Sequence, residues 1–411
     1  IECVLPNTQQ TPPFKMTVSS ESIADFFDPV SYGAARLREA LRTVAAKKAG
    51  IRPGQIRDGR GGFVLPDGSA LRYGALVPSE PLVISDPAVS EAEKNPPRYA
   101  LQRQGAYKAI GHKWKHTELE KIVTGQTVFS QDVALPAMLH GQVIRPPSFG
   151  AILLDADGRV AQAMSGVVAV VVDKKSNFVG VVADNPFVLP GAIEAISAKW
   201  HVADDIDQNS LDEILDVEDL RARDDFEHKL ASSGDIDIGR QRARHRVSAR
   251  YDTPFLAHAA MEPRAAVASV GGNRVEIWCG SQDPFFVQRR VAEIVGRAED
   301  EVVVYSHRMG GAFGGRIRCQ ASEEAAILSA AVDRPVRVSW DREAEFQNNY
   351  FQPVYSHFID AGVTPTGAIS HWDHDFVSSP ILTGSVPKSI SWAVDMFTAD
   401  EGTARGGMPP Y

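Results

Sequence analysis

The sequence predicts a mixed α+β fold, and three observations carry that prediction. Short β-branched runs, such as 167–172 (Val-Val-Ala-Val-Val-Val) and 302–304 (Val-Val-Val), have the length of buried strands rather than of membrane spans. The stretch 28–48 places Leu37, Leu41 and Val44 on one helical face, with Arg36, Arg38 and Arg42 around it. From Gln241 onward strand-like and helix-like segments alternate, and 411 residues leave room for two or three units with cores of their own.

Taken in order, the helix at 28–48 is followed by a hairpin between Asp58 and Gly74, with a tight turn at Asp67-Gly68. A polar connector bearing Asn95-Pro-Pro97 fills 86–106. Strands are expected at 127–129, 138–143, 167–172 and 178–183, then a helix at 191–200. Ser281 and Asp283 suit a helix N-cap before Val287, and Asp341-Arg-Glu343 reads as a charged first turn. These segments divide the chain into 1–117, a compact unit at 118–203, an acidic linker at 204–240 and a last domain at 241–411.

Composition narrows the function classes. With 44% hydrophobic and 23% charged residues the chain is an ordinary globular one, and a formal charge of −9 argues against a nucleic-acid partner. That charge is concentrated between Asp204 and Glu227, where eleven acidic residues meet only Arg221 and Arg223, the pattern of a solvated linker or exposed helix. Cys3, Cys279 and Cys319 lie far apart, without zinc or iron–sulfur spacing, and the eleven histidines include no H-E-x-x-H. His371 and His374 should point to opposite faces of a strand. No apolar run is long enough to span a bilayer. The chain opens on Ile1 with no leader pattern, so the natural N-terminus is expected to be missing or processed.

The stretch 308–316, Arg-Met-Gly-Gly-Ala-Phe-Gly-Gly-Arg, holds the most chemistry. Four glycines around Phe313 follow a strand and precede the helical 321–331, which describes a bare backbone able to approach a polar ligand near the positive end of a helix. The spacing fits neither a P-loop nor the dinucleotide fingerprint, so a nucleotide-binding dehydrogenase is disfavoured. Upstream stand Gln282 in a Gly-Ser-Gln-Asp-Pro turn and Glu262 in His258-Ala-Ala-Met-Glu-Pro-Arg264. Downstream stands Arg334-Pro-Val-Arg-Val-Ser-Trp-Asp-Arg-Glu343.

That ordered set, from about Gly125 onward, resembles the molybdenum-binding subunit of the xanthine dehydrogenase and aldehyde oxidase family. Within it the likeness is to the branch with isoquinoline 1-oxidoreductase, nicotinate dehydrogenase and bacterial aldehyde dehydrogenases. The resemblance implies a small hammerhead α/β domain at 118–203 and the first half of a molybdopterin-binding domain at 241–411. It implies that Gln282 donates to the metal centre and that Gly310, Gly311, Ala312, Phe313, Gly314, Gly315 and Arg316 wrap the pterin. Phe313 would then exclude water beside the metal, against the alternative of an aromatic that plugs the core. Ile317 stands where purine-using relatives carry a glutamate, which points to an aldehyde or N-heterocycle substrate. Glu262 reads more readily as a structural carboxylate than as an acid or base.

The activity so implied is hydroxylation with oxygen from water, using molybdopterin, in its cytosine dinucleotide form, and molybdenum. The expected partners are a second chain with the rest of the molybdenum domain, a small [2Fe–2S] subunit and a c-type cytochrome. The resemblance places them in the bacterial periplasm or cytoplasm, with the periplasm favoured. The glutamate base of the family would lie beyond Tyr411, so no catalytic residue is expected here. The alternative is a non-catalytic structural or assembly module that docks on a catalytic molybdenum subunit.

Overall fold

The computed structural model describes residues 7–18, 20–77, 111, 113, 115–148, 150–202, 207–224 and 231–378. The connector at 86–106, Cys3, parts of the acidic stretch and all residues after 378 lie outside these. The chain forms two compact units, Thr17–Glu120 and a larger one that joins Ile1–Met16 to Lys121–Tyr411.

In the smaller unit α1 (Ser22–Ala49) starts upstream of the expected Asp28 and takes Pro29 into its interior. The expected hairpin is a three-stranded antiparallel meander, β1 (Arg57–Gly59), β2 (Gly62–Val64) and β3 (Ala70–Arg72). Leu41, Ala45, Phe63 and Leu76 form its core, so the apolar face read from the sequence is the one that packs.

After α2 (Leu119–Val123) come β4 (Leu139–Ile144), β5 (Ile152–Asp157), α3 (Arg159–Gln162), β6 (Val167–Asp173) and β7 (Phe178–Ala183). Then α4 (Leu189–Glu194) stops short and β8 (Ser197–His201) pairs antiparallel with β5. The helix expected over 191–200 is therefore half strand. Ala198 and Trp200 pack while Ser197, Lys199 and His201 face out, a period-two pattern that pairing with β5 stabilises. The strand expected at 127–129 is reduced to one bridge between Phe129 and Arg308.

Three helices follow, α5 (Gln208–Ile214), α6 (Val217–Arg223) and α7 (Ile236–Arg242), capped by Asp207, Asp216 and Asp235. Next are β9 (His245–Thr253), β10 (Leu256–Ala257), β11 (Ala265–Gly271), β12 (Arg274–Cys279), α8 (Pro284–Val295), β13 (Val302–Ser306) and α9 (Gln320–Val332). The described chain closes with β14 (Val336–Ser339), α10 (Arg342–Asn348), β15 (Phe351–Gln352), β16 (Tyr355–Val363) and β17 (Ile369–Ser378).

One seven-stranded sheet, in the order β13-β12-β11-β14-β4-β7-β6, runs from the 139–183 strands into the 265–339 strands. The β12–α8–β13 crossover makes those two strands parallel, as such a connection requires. All of β7 is buried because it serves two cores: Phe178 and Val182 face the α8 and α9 side, while Val179, Val181 and Ala183 face α4. A second sheet, β9-β16-β17, is antiparallel. One face carries Asp360, Asp373 and His371 towards α6 and α7; the other carries Tyr251, Tyr355, Trp372, His374 and Phe376. His371 and His374 thus do fall on opposite faces, the first buried and the second exposed.

Candidate functional site

Three segments meet where the large sheet ends. β12 delivers Gly280, Ser281 and Gln282 to the start of α8, and β13 delivers the loop from Arg308 to Cys319. The third is the link between β10 and β11, with His258, Glu262 and Arg264. The local reasons are simple. Asp283 caps α8 by accepting from the Phe286 N–H at 2.9 Å, and Pro284 occupies the first turn, where no N–H is needed. Cys279 and Cys319 end the two converging segments, and contact between their buried thiols raises the Cys279 pKa.

Apart from one turn bond, from the Gly315 N–H to Ala312 O at 2.9 Å, the glycine loop has no ladder of its own, and the side chains of Glu262, Gln282 and Arg264 hold it. Gln282 Oε1 accepts from the N–H groups of Gly314 (3.0 Å) and Arg316 (3.3 Å), and its own backbone N–H donates to Arg316 O at 2.9 Å. With the oxygen so committed, the amide is oriented with Nε2 as its donor end. Glu262 Oε2 accepts from Gly310 N–H at 2.7 Å and from Arg316 Nη1 at 2.9 Å, while Arg316 Nη2 donates to Glu262 O. Arg316 is only 2% exposed, so this ion pair is a buried one.

Backbone geometry explains the glycines. Gly311 and Gly314 have φ of 109° and 96°, which L side chains rarely adopt. At Gly310 a Cβ would come within 2.6 Å of the Glu262 Cβ, closing the approach on which that hydrogen bond depends. Phe313 also sits in the left-handed region, at φ 56°, and is 73% exposed. Its ring does not plug the core; the loop holds it outward. No hydrogen bond among the described residues takes the N–H of Gly311, Ala312 or Phe313. Residues 317–319 separate the loop from α9, so the glycines are not at that helix's N-terminus.

A further layer leaves no local signal in the sequence. Arg264, 1% exposed, donates to Gly315 O at 3.1 Å, to Glu345 and to Gln320, and lies over the Trp340 ring at 4.5 Å. Burial acts to raise the Glu345 pKa, but bonds from Arg264 overcome it and the net shift is downward. Burial lowers the pKa of His258, which lies against Gly314 and Gly315, and that of His307. Four polar atoms around the loop are buried without a hydrogen-bond partner: Ser130 Oγ, His258 Nδ1, Glu262 Oε1 and Arg316 Nε. Buried orphans of this kind are costly, and four of the eight such atoms among the described residues lie here. Spacing could not have found Ser130 or His258, both of which lie far upstream of the loop. No group of three or more metal-ligating side chains occurs among the described residues.

Residues 222–390 match the family of the molybdopterin cofactor-binding domain. A nicotinate dehydrogenase subunit of Pseudomonas putida is 28% identical over 100% of this chain, which spans 34% of that relative. The beta subunit of isoquinoline 1-oxidoreductase from Brevundimonas diminuta is 25% identical over 85% of the chain and 48% of its own length. In fold, quinoline 2-oxidoreductase from Pseudomonas putida 86 overlays 63% of this chain and 38% of its own, with a TM-score of 0.51 at 19% identity. The chain thus spans less than half the length of either curated relative. Motif order and matched domain agree: residues 222–390 are similar to the molybdopterin cofactor-binding domain, and the chain is similar to subunits of nicotinate dehydrogenase and isoquinoline 1-oxidoreductase.

Proposed function

We propose that this chain is the cofactor-holding part of an oxidoreductase that hydroxylates an aldehyde or an N-heterocycle with oxygen from water. The observation that carries the proposal is the glycine loop, pinned by Glu262 and Gln282 and ringed by four unpartnered buried polar atoms. These residues fit a molybdopterin, whose pterin and phosphate need many polar partners and a backbone that can come close. When bound, the molybdenum centre supplies two-electron oxidation of a substrate carbon.

The chain's own residues bind and orient in this scheme. Gly311, Ala312 and Phe313 offer backbone N–H groups, Gly310, Gly314 and Gly315 let the loop come close, Arg316 fixes its far end, Gln282 donates from Nε2, and the outward Phe313 shields the site from water. The names of the relatives include nicotinate and isoquinoline, both N-heterocycles, and Ile317 offers an apolar neighbour for such a ring. The same proposal includes the cytosine dinucleotide form and a second chain whose glutamate serves as base. It also includes a [2Fe–2S] subunit, a c-type cytochrome acceptor and a periplasmic setting.

Native mass spectrometry of the purified assembly, with a turnover assay in 18O-labelled water, tests this. We expect molybdenum, a pterin mass and labelled oxygen in the product of an aldehyde or N-heterocycle. An assembly with neither metal nor pterin would overturn the proposal and leave the chain a structural or assembly module.

A further inference from the structure

We infer that Glu262 positions the glycine loop for its ligand and that the carboxylate's second oxygen, Oε1, is a ligand acceptor. The inference rests on the proposed function and adds to it a residue outside the loop. Glu262 touches both ends of the segment 310–316. Its Oε2 takes the Gly310 N–H and Arg316 Nη1, its N–H donates to Gly310 O at 3.2 Å, and its carbonyl takes Arg316 Nη2. One residue therefore closes the loop into a ring, and moving its carboxylate moves both ends.

A carboxylate with only that structural task would use both oxygens, as the neighbouring Glu345 does. Glu345 Oε1 accepts from Arg264 N and Nε, and Oε2 from Arg264 Nη2 and Asn349 Nδ2. Glu262 Oε1 is also shut off from solvent yet accepts nothing. An ionised oxygen left bare in the interior is expensive, and an N–H donor on a bound group removes that cost. A pterin ring offers such donors in its amino group and ring N–H. The chemistry recognised is an N–H edge of a nitrogen heterocycle, read by a carboxylate held still by Arg316.

The test compares Glu262→Gln with Glu324→Gln in the purified assembly. The second variant breaks another buried pair, Arg145–Glu324 at 2.9 Å, which does not touch the loop. Pterin per chain is read by fluorescence after oxidation, and the unfolding midpoint by calorimetry of pterin-free material. We expect Glu262→Gln to lower pterin content by about tenfold or more, the scale of a lost bond to a charged group, while Glu324→Gln stays within about twofold of wild type. Their midpoints should fall by similar amounts. Equal pterin in Glu262→Gln and wild type would overturn this inference alone. A Glu262→Gln midpoint far below that of Glu324→Gln, with pterin lost in step, would reduce Glu262 to a structural part and also overturn it. Wild type without pterin would overturn both this and the proposed function. Should Glu262→Gln not fold, Glu262→Asp keeps the charge but withdraws the carboxylate, and the same loss is expected.

Discussion

The glycine loop and the β9-β16-β17 sheet both depend on buried carboxylates paired with arginines, but they use them differently. In the sheet the backbone satisfies itself through a continuous antiparallel register, and Asp360 only ties Arg240 and Arg246 across one face. In the loop the backbone has no ladder, so Glu262, Gln282 and Arg264 bond directly to main-chain groups of Gly310, Gly314, Gly315 and Arg316. The same ion pair is thus an accessory in one region and a substitute for secondary structure in the other. Regular structure tolerates loss of a side chain; irregular structure at a binding site does not.

The largest effect should come from Arg264→Met. It leaves Glu345 as an uncompensated buried charge and releases Gly315 O, so we expect a loss of about 3–5 kcal/mol. Urea unfolding followed by tryptophan fluorescence reads this, since Trp340 stacks on Arg264. Adding Glu345→Leu should restore more than half the loss. A drop below about 1 kcal/mol in the single variant would mean the loop is held as loosely as an exposed surface pair.

A smaller, pH-dependent effect is expected in the sheet. Hydrogen bonds from Arg246, then Arg240, hold the Asp360 carboxyl down at about 2. Its folded pKa is therefore depressed below the ordinary value of about 3.9. The stability it contributes is present above about pH 4 and is lost as pH falls from there towards about 2. Asp360→Asn should cost about 2 kcal/mol at neutral pH and flatten the acid limb of the urea midpoint plotted against pH. Parallel acid limbs in variant and wild type would show that other carboxylates carry the acid sensitivity.

How much of this was legible depended on sequence distance. The loop glycines, the Gln282 turn and the Asp283 cap are local signals, and each is where the sequence put it. The grip on the loop is not local. Glu262 reaches Gly310 across 48 positions and Arg264 reaches Glu345 across 81, and neither spacing leaves a periodic trace. Glu262 does bond backbone, as a structural carboxylate should, but its bare second oxygen exists only in three dimensions. The false helix over 197–200 has the same origin. A short Ala-Lys-Trp stretch carries no decisive period, and β5, more than 40 residues earlier, decides its state.

The smallest effect sharpens the contrast within the sheet itself. Trp372 lies on the face away from α6 and α7 and is 57% exposed, whereas Phe358 lies on the packed face with the Arg221 guanidinium 4.1 Å from its ring centre. Residues on the outer face gain only from cross-strand neighbours, which contribute tenths of a kcal/mol rather than the full value of a buried aromatic. We expect Trp372→Ser to change stability by less than about 1 kcal/mol and Phe358→Ala to cost clearly more, both read by urea unfolding at neutral pH. Equal losses would mean that the outer face is as closely packed as the inner one. The edge-on contact of Trp372 with His374, at 6.4 Å between ring centres, would then have to carry more than a partly solvated pair allows.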